Sequence, residues 1–202
     1  VGHDALAANT TGTSNTAVGN LALTTNITTS YNTAVGYRAL TTNVASNNTA
    51  VGYDALYLNT TGDANVAVGT TALDANTTGA NNTGLGWSAL GVNTTGGNNV
   101  AIGRDCLRAN TTASYNVGVG VDTLYGNTTG AKLVAVGHQA LYANSTASEN
   151  IAIGWEAAKG ITTGSSNISI GYGCMNTGTM TGSYNIGMGR YAFQNLTSGA
   201  RN

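Results

Sequence analysis

The stretch NTAVGYRALTTN runs from Asn32 to Asn43, and NTAVGYDALYLN follows from Asn48 to Asn59, sixteen residues later. Variants of this phrase continue to the end of the 202-residue chain. Let the glycine of each phrase be position 0. These glycines are Gly2, Gly19, Gly36, Gly52, Gly69, Gly86, Gly103, Gly120, Gly137, Gly154, Gly171 and Gly189. They are spaced by 17 residues, apart from one step of 16 and one of 18. A fixed period of this length marks a solenoid in which each unit is one coil.

The columns of the repeat have distinct characters. Position −1 is large and apolar, as in Val18, Leu85, Ile102 and Met188, and position −3 is mostly β-branched, as in Thr16, Val66 and Ile151. Between them lies a small residue, such as Ala17, Gly84 or Ser169. This alternation is strand-like, and β-branching supports it. Position +4 is Leu in nine units, then Ala158, Met175 and Phe193. "ALxx" therefore reads as a second short strand after a two-residue corner. "NTTG" then turns the chain back, using residues that accept positive φ or bond their own backbone. No Asn-Gly or Asp-Gly occurs, so tight hairpins are not indicated. The expectation is an all-β parallel β-solenoid (β-roll) of twelve 17-residue coils. At about 4.8 Å per coil the rod would be roughly 55 Å long. Large side chains would fill its interior, leaving the Ala/Gly face free for close approach of another backbone.

Composition removes several function classes. Only 7% of residues are charged and the formal net charge is −1, so no basic surface exists for nucleic acid. No apolar run approaches the ~18 residues of a membrane span, and no targeting segment is visible. A low-complexity chain invites a disordered reading, but 41% of residues are hydrophobic and they fall in strict columns. The chain opens in mid-phrase and stops where "TAVG" would follow, so residues 1–202 are expected to be a single repeat array, an uncapped segment of a longer fibre.

All fifteen charged residues fall at −6, −5, +1, +2 or +5. Charges are rarely buried unpaired, so these columns should face water. The turn carries no charge. At +7 stand Asn9, Asn26, Asn43, Asn59, Asn76, Asn93, Asn110, Asn127 and Asn144. A column so uniform suggests a stacked amide ladder, burial against a partner, or both. A thin coil gains from association, and a homotrimer with the small face or the turn toward a shared axis is expected.

The recurring "SNTAVGNLAL" resembles the head repeats of trimeric autotransporter adhesins of the YadA type. The longer "NTAVGYxAL..NTTG" looks like repeats of phage and viral tail fibres. The resemblance covers the whole chain, although the adhesin repeats are usually shorter. It implies a left-handed β-roll in each of three chains, and a structural protein that works outside the producing cell or on a virion surface, in attachment to a host or other surface.

Aromatic residues cluster in outward columns. Tyr37, Tyr53, Trp87, Trp155 and Tyr172 stand at +1, and Tyr57, Tyr125 and Tyr142 at +5, with Tyr31, Tyr115 and Tyr184 at −5. They could stack on the sugars of a receptor glycan. Alternatively they cover the coil edge and pack between chains. His3 and His138 share a column but lie eight coils apart, and Cys106 and Cys174 lie four coils apart, roughly 19 Å. That is too far for a disulfide, and the spacings make no zinc site. No Ser–His pairing or convergent carboxylate pair suggests catalysis, and no cofactor motif is present. Three readings remain: the adhesive fibre; an ice-binding solenoid using the rows Thr10/Thr11, Thr60/Thr61, Thr77/Thr78 and Thr94/Thr95; and a non-catalytic extracellular filament subunit. The fibre is favoured, because adjacent threonines in an extended strand would point to opposite faces.

Overall fold

Each AVG phrase forms a three-residue strand. The computed structural model describes residues 2–202. In it the strands are β1 (Thr16–Val18), β2 (Thr33–Val35), β3 (Thr49–Val51), β4 (Val66–Val68), β5 (Thr83–Leu85), β6 (Val100–Ile102), β7 (Val117–Val119), β8 (Val134–Val136), β9 (Ile151–Ile153), β10 (Ile168–Ile170) and β11 (Ile186–Met188). They make one parallel sheet in sequence order, so the chain is a β-solenoid with one strand per coil. Every column pairs with itself, as in Ala17↔Ala34. The register survives both irregular units: Thr33 pairs with Thr49 across the short one and Ile168 with Ile186 across the long one. Length changes are absorbed in the turns, where no strand register is at stake.

The strands face the opposite way from the expectation. The small central residue points inward, so that Ala34, Ala101 and Ala152 are fully buried. The large residues at −1 point outward, with Val18, Leu85 and Ile153 exposed by 45%, 44% and 40%. The physical reason lies across the coil. The interior is already occupied by the +4 leucines, from Leu23 to Leu141, all fully buried. A coil this narrow has room for one large layer, so the strand contributes only alanine, glycine and, once, Ser169.

The expected second strand is also corrected. The ALxx segment is a continuous turn in which positions +2 and +4 adopt left-handed φ, for example Arg38 (53°), Leu40 (53°), Asp54 (55°) and Leu56 (51°). Left-handed backbone costs a non-glycine residue roughly 1–2 kcal/mol. Here it aims successive amides along the rod. The +2 N–H bonds back to the preceding coil (Asp54 to the Tyr37 carbonyl, 3.0 Å), and the +4 N–H bonds forward (Leu56 to the Ala72 carbonyl, 3.0 Å). Position 0 needs glycine twice over. Gly154 has φ 134°, and a Cβ there would sit 2.6 Å from the Gly171 carbonyl oxygen.

Candidate functional site

Two asparagine columns line the interior. The +7 side chains from Asn26 to Asn144 are fully buried, and Asn9 is partly buried. Each coil repeats one pattern, shown by Asn93: its Nδ2 donates to Asn76 Oδ1 (2.8 Å) and to the Gly96 carbonyl (2.9 Å), while its Oδ1 accepts from Asn110 Nδ2 (2.8 Å). The ladder skips the step from Asn26 to Asn43, where Asn26 Oδ1 instead accepts from Thr29 and Asn32. It ends at Asn144, whose Oδ1 has no partner among the described residues. Beyond it the column turns apolar, with Ile161 and Met180 fully buried and joined by a backbone bridge. The turn therefore points its amides inward and offers no asparagine ladder to a partner.

A second column, at −4, was not singled out from the sequence. Asn82 shows its geometry: its Oδ1 accepts the backbone N–H of Asn99 (3.0 Å) and its Nδ2 donates to the Gly96 carbonyl (2.8 Å). The signal was the Asn that opens nearly every "NxAVG" phrase, among them Asn32, Asn48, Asn65, Asn82 and Asn99. Leu133 replaces it in one coil and is fully buried. The turn threonines at +8 are likewise engaged. Thr60 Oγ1 donates to the Thr77 carbonyl (2.9 Å) and Thr77 Oγ1 to the Thr94 carbonyl (3.0 Å), and Thr10 bonds the Ile27 carbonyl in the same way. Their partners at +9, Thr61, Thr78 and Thr95, remain exposed.

The surface then divides into two regions of interest. One is the outer face of the sheet, where two columns of Thr, Val, Ile, Leu and Met run the length of the rod without a charge. The small-residue face, expected at a shared axis, lies inside the coil and is not available there.

The other region is the corner formed by +1, +2 and +5. Arg38 shows that these columns adjoin. Its guanidinium lies 5.1 Å from the Tyr37 ring centroid, 5.9 Å from that of Tyr53 and 4.5 Å from that of Tyr57. It also grips Asp54 with two nitrogens, the Nε–Oδ1 distance being 2.7 Å, and this hydrogen bond raises the Arg38 pKa above its ordinary value. Rings stack along the rod axis: Tyr37 on Tyr53 (5.3 Å), Tyr125 on Tyr142 (5.2 Å) and His138 on Trp155 (4.2 Å), with Tyr172 edge-on to Tyr191 (5.3 Å). Stacked rings turn their edges, not their faces, to solvent. The stripe is therefore mostly a self-supporting ladder. Tyr31, Tyr115 and Tyr184 stand apart from it, each more than 60% exposed.

The charges of the corner are not all solvated. Asp54 and Asp105 are buried, Asp54 under Arg38 and Asp105 between Arg104 (3.8 Å) and Arg108 (3.2 Å). Burial pushes the Asp105 carboxyl up, against the pull of both guanidiniums. Cys106 and Cys174 are fully buried free thiols, and burial pushes Cys106 up to about 12. His3 and His138 lie apart, His138 against Trp155. Among the described residues no three His, Cys, Asp or Glu side chains gather to hold a metal ion, and no pocket opens. Among the same residues no helix is long and apolar enough to cross a membrane.

Compared with protein families, curated proteins and solved structures, the chain gives no match.

Proposed function

We propose that this chain is a self-associating structural segment of an extracellular or virion-surface fibre, and that copies meet along the outer face of the sheet. One observation carries the reading. Parallel sheets are as a rule covered on both faces, and here the inner face lies on the leucine column while the outer face is bare. That face is an uncharged, largely apolar strip, with Thr in place of Val or Ile at Thr16, Thr33, Thr49 and Thr83, about 50 Å long at the ordinary strand spacing and well beyond the scattered apolar residues of a monomer surface. A second copy of the chain fits it well, since each coil repeats the same edge. Three copies around one axis would bury all three strips together, and the resemblance to adhesin heads and tail fibres favours that number. Attachment of the fibre to a host or other surface is the use that the same resemblance suggests. No reaction is assigned to it.

Sedimentation equilibrium tests the reading. A mass near three times 20.2 kDa is the expected result. A monomer at micromolar concentration would remove self-association, and with it the fibre reading. The hydroxyls at +8 are committed to carbonyls of the next coil, whereas those of Thr61, Thr78 and Thr95 at +9 stay exposed in one row, and a thermal-hysteresis assay separates the ice-binding alternative from the fibre reading.

A further inference from the structure

The eight corner rings of the +1 and +5 columns differ in one respect. Tyr37, Tyr53, Tyr57, Tyr125, Tyr142, Trp155 and Tyr172 each have a ring or a guanidinium against them. Trp87 has neither, and its indole N–H donates to no acceptor among the described residues. Its neighbours in the +1 column are Thr70 and Arg104, and it is half exposed.

Its surroundings are polar and incompletely used. Gly91 stands where other coils carry a +5 side chain. A Cβ there would lie 2.6 Å from Ser88 Oγ and 3.6 Å from Asp74 Oδ1, so the Asp74 carboxylate from the preceding coil leans over this gap. Asp74 is half-buried and, among the described residues, pairs with no side chain, its carboxylate taking backbone N–H groups such as that of Ala75 and keeping lone pairs to spare. On the other side Arg104 is held only loosely, 3.8 Å from Asp105 and 3.4 Å from Asp122. The half-exposed indole thus belongs to the same corner as a carboxylate that no side chain pairs with and a guanidinium that is loosely held.

We infer that Trp87 is the platform of a carbohydrate subsite for a neutral hexopyranose. The sugar lies with its C–H face on the indole, donates a hydroxyl to Asp74 and accepts from Arg104. The attraction is that of weakly positive hydrogens for a negative aromatic face. Three carboxylates (Asp74, Asp105, Asp122) against two guanidiniums (Arg104, Arg108) leave the cluster one negative charge in excess, which selects against anionic sugars. The inference rests on the attachment part of the function proposed above.

The chain has two tryptophans, so Trp155→Phe leaves Trp87 as sole tryptophan reporter. Its fluorescence is titrated with methyl β-D-galactopyranoside, methyl β-D-glucopyranoside and N-acetylneuraminic acid. A saturable change with a neutral glycoside, at dissociation constants on the order of millimolar, and a weaker one with the acid are expected. Calorimetry on the otherwise native chain should show binding weakened about tenfold or more in Trp87→Ala and retained in Trp155→Ala, with the sedimenting mass of both unchanged. Absence of saturation with both neutral glycosides overturns the inference. So does undiminished binding by Trp87→Ala, which would leave attachment standing elsewhere on the rod. If Trp87→Ala instead loses self-association, Trp87 is a packing residue and the subsite is gone.

Discussion

A buried amide is tolerable only when its polar atoms are used, because a stranded donor or acceptor costs about 1–3 kcal/mol. Asn93 meets that demand with both amide hydrogens and its oxygen engaged. Asn93→Ala would leave Asn76 Oδ1 without its donor and Asn110 Nδ2 with one bond fewer, and would open a small gap in the coil interior. Urea unfolding should show a loss of about 2–4 kcal/mol, whereas Thr95→Ala, at an exposed site in the same turn, should change stability by less than about 0.5 kcal/mol. Equal effects would mean that the ladder contributes nothing beyond turn propensity. The uniform +7 column was legible in the sequence because a solvent-facing turn would admit a charge somewhere in twelve coils. The direction in which it points was not legible, since an uncharged Asn suits a wet turn and a buried ladder alike. The left-handed leucines were hidden for a stronger reason. Leu is among the residues least expected at positive φ, so Ala-Leu read as strand when inter-coil bonds and core burial in fact hold it as turn.

Within an element, packing is set by pairs of columns rather than by single positions. Where the +3 alanine becomes Cys106, the facing −2 residue of the next coil is Gly118, and a Cβ at Gly118 would lie 2.6 Å from Cys106 Sγ. The second cysteine repeats the arrangement, with Gly187 at 2.8 Å from Cys174 Sγ. The coil starting at Gly154 makes a different exchange, with Ala158 in the leucine column and Ile161 in the asparagine column, so that volume lost at one position returns at the other. Such exchanges keep the core at crystal-like density. They predict a specific non-additivity. Gly118→Ala should destabilise by about 1–3 kcal/mol through overpacking, Cys106→Ala should cost little, and the double variant should recover most of the loss. A double variant no better than Gly118→Ala would mean that the glycine is kept for its backbone instead. The period of two in the strand was readable from sequence, yet it leaves open which face is inside. That choice depends on how much space the opposite wall leaves, a property of the closed coil that no single phrase contains.

At the scale of the whole molecule, the inverted strand faces decide where a partner can sit. Had the large residues filled the coil, a smooth Ala/Gly face would remain outside and only close backbone packing could hold copies together. With Val, Ile and Leu outside, the proposed association would be ordinary apolar burial, on the order of 1 kcal/mol for each half-exposed side chain covered, summed along eleven strands. Leu85→Lys and Ile153→Lys test this directly. Both positions are already open to solvent in the isolated chain, so a lysine there can be hydrated and the coil should fold. In the proposed assembly the same lysine would be buried without a partner, at a cost of several kcal/mol. The double variant should therefore sediment as a folded 20.2 kDa chain with the circular dichroism of the parent. Asn81→Lys, in the −5 column where Lys132 already stands, should keep the parental mass. If the face variants retain that mass, copies meet elsewhere on the rod, and the aromatic corner becomes the surface to substitute next.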